Sequence, residues 1–177
     1  MDNYAKYGDN GEIWFGKRAE NRIVQYIEEN IFDKSSRIID LGCGNGSLLH
    51  CLQQKQFTKL FGVDYCNNAV NLAKNIVIDL LDKNVLMGEK FDVVIDKGTW
   101  DAMSLSNDRN IRLLTYRNLI CKILDENGIF IMISFFIGFS FSDLMEFVCG
   151  INLASHTLKF GGSTGVTTSG VVFRKFC

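Results

Sequence analysis

The sequence predicts an α/β domain: a mostly parallel sheet with helices on both faces, closed at one edge by an antiparallel hairpin. Three observations predict it. Short apolar runs of strand length alternate with segments whose apolar residues recur at helical spacing. The first such run ends in a glycine-rich turn, Asp40-Leu41-Gly42-Cys43-Gly44-Asn45-Gly46, which opens straight into a helical segment. Near the end of the chain, two β-favouring stretches flank Gly161-Gly162-Ser163-Thr164-Gly165.

The elements follow in order. Arg18 to Asn30 is a helix, with apolar residues at Ile23, Val24, Ile27 and Ile31. Arg37 to Leu41 is a buried first strand, Ser47 to Gln56 the helix after the turn, and Lys59 to Asp64 a second strand. Asn67 to Asn75 reads as a helix capped by Asn67 or Asn68. Ile76-Val77-Ile78 is a short third strand and Phe91 to Asp96 a fourth. Asp108 to Leu124 carries apolar Ile111, Leu114, Leu119 and Ile123, a helix stopped near Asn127-Gly128. Ile129 to Phe136 is apolar on both faces and so belongs in the middle of the sheet. Phe141 to Cys149 is a helix capped by Ser140 or Ser142, and the hairpin runs from Leu153 to Phe160 and from Val166 to Phe176.

Composition narrows the function classes. The 177 residues, 47% hydrophobic with fourteen Phe, suit one domain over 1–177 with a sizeable core. With 19 basic and 20 acidic residues and no basic stripe, stable nucleic-acid binding is not expected. The start lacks a basic-then-apolar signal, and Gly128 to Phe141 is too short to cross a bilayer, so a cytoplasmic protein free of the membrane is expected. The six Cys form no C-x-x-C pair and only two His are present, which predicts reduced thiols and no metal.

Chemistry enters at the glycine turn. Gly42, Gly44 and Gly46 let the backbone approach a ligand, and the helix behind them points its free N–H groups at that ligand. Asp64, at the end of the second strand, is placed to accept hydrogen bonds from a ribose diol. Nicotinamide and flavin folds prefer G-x-G-x-x-G; this chain has G-x-G-x-G with Asp40 before it. An acid there is awkward beside a pyrophosphate but useful beside the ammonium and sulfonium of S-adenosylmethionine, which is therefore the expected cofactor.

At this point the sequence resembles the class I, seven-stranded S-adenosylmethionine methyltransferases, a Rossmann-like fold. More narrowly, it resembles the eukaryotic lysine methyltransferases of translation elongation factor 1-alpha. The match rests on Gly8 to Gly16, on Asp40 to Gly46, on Asp96-Lys97-Gly98-Thr99-Trp100-Asp101-Ala102-Met103-Ser104-Leu105, and on the tail from Phe160-Gly161-Gly162 to Lys175. It implies a cofactor-binding set of Trp14, Asp40, Gly42, Cys43, Gly44, Asn45, Gly46, Asp64, Tyr65, Asp79, Leu80 and Asp96. Within it Asp64 holds the ribose, Asp79 and Leu80 lie beside the adenine, and Asp96 faces the methionine moiety and the incoming nucleophile. A protein substrate, elongation factor 1-alpha, and a monomeric enzyme are implied as well. Two departures stand out: Asp79 follows Asp64 by only fifteen positions, and Ser134-Phe135-Phe136-Ile137-Gly138 is more apolar than the family's stretch there.

Methyl transfer to lysine needs a nitrogen lone pair. Free lysine titrates near 10.4, so deprotonation at pH 7 costs about 4–5 kcal/mol. Asp96 is the expected catalytic residue, orienting the amine more than acting as a true base, because a carboxylate favours the charged ammonium. Phe15, Thr99 and Trp100 are the expected substrate-binding residues, and Trp14, Phe15 and Trp100 could wall a lysine channel. Asp101 reads as a helix cap and Lys97 as a solvated rim charge. His50 and His156 read as surface or satisfied core residues, and Cys43 as packing. Two rival readings remain: a small-molecule or nucleic-acid methyltransferase on the same fold, and a non-catalytic binding module.

Overall fold

The computed structural model describes residues 15–65, 76–77, 79–82, 85–134, 153–159 and 169–175. Its elements are α1 (Gly16–Asn30), β1 (Arg37–Leu41), α2 (Ser47–Gln54), β2 (Lys59–Asp64), β3 (Ile76–Val77), β4 (Phe91–Lys97), α3 (Thr99–Ser104), α4 (Arg109–Ile123), β5 (Leu124–Ser134), β6 (Leu153–Lys159) and β7 (Ser169–Lys175). They build a seven-stranded sheet in the order β3-β2-β1-β4-β5-β7-β6. β3, β2, β1, β4 and β5 run parallel, and β7 pairs antiparallel with both β5 and β6. The tail hairpin therefore turns back on itself, with β7 inside and β6 at the edge.

Strand alternation sorts the core into two layers. Ile38, Val93, Ile95, Ile129, Ile131, Ile133 and Val172 pack with Ile23, Val24 and Ile27 of α1 and Leu48 and Leu52 of α2. Ile39, Val94, Phe130, Met132, Val171 and Phe173 point the other way, to Trp100 of α3 and Tyr116, Leu119, Ile120 and Ile123 of α4. Helices thus cover both faces, as the apolar pattern predicts.

Several boundaries move. β5 begins at Leu124, because the Asp125-Glu126-Asn127-Gly128 stretch is taken up as an irregularity between the pairs Phe91↔Leu124 and Val93↔Ile129. α4 buries Tyr116, Leu119, Ile120 and Ile123, whereas Ile111 and Leu114 of the expected stripe are exposed. The six-residue α3 was not expected; Gly98, at φ 93°, caps it, and Asp101 lies in its first turn instead of capping it. The expected helices at 67–75 and 141–149 lie outside the described residues.

Candidate active site at the carboxyl edge of the sheet

The parallel strands β1, β2 and β4 all end at one edge, and the glycine turn sits over them. Gly42, Gly44 and Gly46 have φ of 79°, 53° and 75°, the left-handed region that favours glycine. Two backbone bonds fasten the turn to β2, with the Gly42 and Cys43 N–H groups donating to the Val63 carbonyl at 2.8 and 3.0 Å. Asp64 Oδ2 accepts the Gly44 N–H at 2.9 Å, and Asn45 Oδ1 accepts the Ser47 N–H at 3.1 Å, which sets the start of α2. Cys43 is buried, as expected of a packing residue.

Asp40 is the exceptional member of the turn. It is fully buried on the α1 side of β1, and neither carboxylate oxygen has a hydrogen-bond partner among the described residues. Burial pushes its carboxyl up to about 7; Lys97 opposes the rise, while Glu20 and Asp64 add to it. Lys97 is thus half-buried and coupled to Asp40, more than a solvated rim charge. Glu20, which sequence reasoning missed, is a second fully buried carboxylate, reaching Ser47 Oγ from α1 at 2.9 Å. An acid on an amphipathic helix reads as part of the solvated face; only the long-range contact with Ser47 reveals it.

Asp96, next to last in β4, faces the opposite side of the sheet. Its Oδ1 accepts the Thr99 N–H at 2.9 Å; its Oδ2 accepts the Trp100 N–H at 3.0 Å and the Tyr116 hydroxyl at 2.7 Å. Burial pushes this carboxyl up to about 7 as well, and the Tyr116, Trp100 and Thr99 donors hold it down against the nearby Asp101. Thr99 Oγ1 donates to the Leu41 carbonyl at 2.6 Å, so the β4–α3 corner is bolted to the end of β1. Ser134 Oγ donates to Asp101 Oδ1 at 2.5 Å, which ties the end of β5 to the same corner.

The aromatic residues separate. Trp14 lies outside the described residues. Phe15 packs, partly buried, against the α1–α2 layer, and Trp100 is 1% exposed in the α3–α4 layer. The expectation that Trp100 walls a channel with Phe15 is corrected: the two rings belong to different layers, and the indole is enclosed by core. Tyr65 is 84% exposed beyond β2. Asp79 is exposed, with Oδ1 accepting the Leu81 N–H at 2.9 Å, while Leu80 turns into the core beside Val63. A hollow of about 440 Å³ between Val85–Lys90 and Lys122 lies near the start of β4, away from the glycine turn.

Known proteins are similar in sequence and share this fold. Residues 32–157 match the family described as "Methyltransferase domain". The chain is 33% identical to protein-lysine N-methyltransferase efm4 of Schizosaccharomyces pombe, an alignment covering 98% of this chain and 87% of that one. The chain belongs to the methyltransferase domain family. This methyltransferase is also 30% identical to EEF1A lysine methyltransferase 2 of Homo sapiens, over 99% of its own length and 80% of the relative's. Its fold is that of a TehB-like SAM-dependent methyltransferase from Corynebacterium glutamicum (TM-score 0.68, 20% identity, 98% of this chain and 92% of that one). The same holds for the Burkholderia thailandensis 1,6-didemethyltoxoflavin-N1-methyltransferase (TM-score 0.71, 18% identity, 99% and 86%).

The chain is thus a Rossmann-like class I methyltransferase, and S-adenosylmethionine is its cofactor. The residues present fit that group. The turn offers three glycines with left-handed backbone and no side chain, and Asp40 offers two buried oxygens without hydrogen-bond partners among the described residues to a cofactor whose methionine end is positively charged.

Proposed function

We propose that this methyltransferase acts on protein lysine, with translation elongation factor 1-alpha as its substrate. The observation that carries the reading is near-full-length identity of 30–33% to enzymes named as protein-lysine or EEF1A lysine methyltransferases. The Asp96 to Leu105 block that suggested this family forms the corner bolted to β1 and β5, so it stands at the glycine turn.

The bound cofactor supplies an electrophilic methyl group. In this reading the chain's residues divide the remaining work. Asp40 meets the positive charge of the methionine end, and the backbone of Gly42, Cys43, Gly44, Asn45 and Gly46 lines its approach. Asp64 accepts from the ribose while holding Gly44 in place, with Tyr65 beyond it, and Asp79 and Leu80 border the adenine. Asp96 acts through the corner it organises: its carboxylate fixes Thr99 and Trp100, and with them the direction from which an amine is oriented. Thr99 and Phe15 are the substrate-facing side chains of this proposal, and Trp100 supports Thr99 from within the α3–α4 core, on the side of the sheet away from Phe15.

We propose further that the chain works as one domain, as a monomer in the cytoplasm; among the described residues no helix is long and apolar enough to cross a membrane. The test is transfer of a labelled methyl group into a cell extract and into purified elongation factor 1-alpha, followed by mass spectrometry of the labelled peptides. Trimethyl-, dimethyl- or monomethyl-lysine in the factor supports the proposal. Label confined to RNA or to small metabolites overturns it.

A further inference from the structure

Glu20 is the buried charge that the transfer proposed above leaves unused. Its Oε1 accepts from Lys17 Nζ and Ser47 Oγ, both at 2.9 Å, and from Cys51 Sγ at 3.5 Å. Its Oε2 is buried and has no hydrogen-bond partner among the described residues. Leaving a buried carboxylate oxygen unpaired is expensive, and such an atom signals a partner supplied from elsewhere. Ser47 opens α2 directly behind the glycine turn, so Glu20 reaches that turn from α1. Asp40 lies on the same side of the sheet, with neither oxygen hydrogen-bonded among the described residues. Two cations offset these acids: Lys17, 58% exposed and bound to the partnered oxygen of Glu20, and Lys97, whose charge acts on Asp40. Among the described residues no group of acids is gathered as metal ligands would be.

We propose that Glu20, together with Asp40, forms a two-carboxylate cage that selects the charged methyl donor over its demethylated product. S-adenosylmethionine carries a sulfonium and an ammonium against one carboxylate, a net single positive charge. Once the methyl group has left, the sulfur is a neutral thioether, and S-adenosylhomocysteine has no net charge. The two ligands are otherwise nearly the same shape, so contacts to adenine and ribose cannot separate them. Carboxylate oxygens without a hydrogen-bond partner in a low-dielectric layer can, because they interact with the one unit of charge that differs. The inference rests on the cofactor assignment and is independent of which protein is methylated.

The test is calorimetric binding of S-adenosylmethionine and of S-adenosylhomocysteine, separately, to the full-length chain and two variants. Glu20→Gln keeps the shape and the acceptor for Lys17 and Ser47. It is expected to weaken donor binding about tenfold and product binding less than about twofold, so that the preference shrinks by about five- to tenfold. Lys17→Met removes the exposed counter-charge and is expected to move the preference the other way, by about two- to fivefold. Equal losses for both ligands in Glu20→Gln, or no change in the preference, overturn the proposal and leave Glu20 as a strut between α1 and α2. If Glu20→Gln fails to melt cooperatively, Lys17→Met decides alone, and an unchanged preference there overturns it. Failure of the unaltered chain to bind the donor would count against the cofactor and not against the cage.

Discussion

Gly42 has no room for a side chain. A Cβ there would stand 2.0 Å from Thr99 Oγ1, on a backbone at φ +79°. Gly42→Ala is therefore expected to cost about 2–4 kcal/mol, the sum of left-handed strain and overpacking, read by urea denaturation. Thr99→Ala in the same chain should return the packing part only, giving a coupling of about 1 kcal/mol between neighbours; strict additivity would refute the contact. Asp40 makes the opposite kind of residue-scale prediction. Its carboxyl, held up near 7 by burial, is a liability to the cofactor-free chain above neutral pH. Asp40→Asn should melt higher than the parent at pH 8 without cofactor, and bind S-adenosylmethionine at least about tenfold more weakly. A variant that is both less stable and equally good at binding would show that Asp40 serves the fold alone. The glycines and Asp40 were legible because their types and spacing carry the chemistry; Glu20 and Tyr116 were not, because nothing local distinguishes a buried acid or phenol from its solvated counterpart.

At the scale of elements, strands were read more closely than helices. β1 and β2 match their expected limits residue for residue, because each is a short apolar run bounded by turn residues. α3 was invisible: six residues are too few to display a 3.6-residue period, and its start is signalled by one glycine cap. α4 was found with Leu119 and Ile123 buried as expected, but Ile111 and Leu114 at its start are exposed, and Tyr116 and Ile120 complete the buried face. That face matters for the site, because it brings the Tyr116 hydroxyl to Asp96 Oδ2. Tyr116→Phe removes one charge-assisted bond and should destabilise the chain by about 1–3 kcal/mol. It also removes a donor that holds the Asp96 carboxyl down, so the acid must titrate above its present value of about 7. If transfer requires the ionised form, the acid limb of the rate profile moves to higher pH while cofactor affinity at pH 8.5 stays within about twofold. An unmoved limb would remove Asp96 ionisation from the reaction.

For the whole molecule, Asp40 and Asp96 place two high-pKa carboxyls on opposite layers of one sheet edge. In the unfolded chain both titrate near 3.9. Between pH 4 and 7 the folded state therefore binds more protons than the unfolded state, and stability falls as pH rises through that window. Surface acids work the other way at lower pH, where Asp108 is held down to about 2, chiefly by Arg112, but its exposure leaves that contribution small. Melting temperature of the cofactor-free chain should accordingly be higher at pH 6 than at pH 8. A cation seated against Asp40 lowers its carboxyl again, so S-adenosylmethionine binding must expel a fraction of a proton near neutral pH, up to about half of one at pH 7. The expulsion is measurable as a dependence of the binding heat on the ionisation enthalpy of the buffer. It should fade by pH 8.5, where Asp40 is already ionised, and donor affinity should rise from pH 6 to pH 8 in step with it. Proton uptake, or a binding heat indifferent to the buffer at pH 7, would place the cofactor's positive charge away from Asp40 and undo the link between the glycine turn and the carboxylate that precedes it.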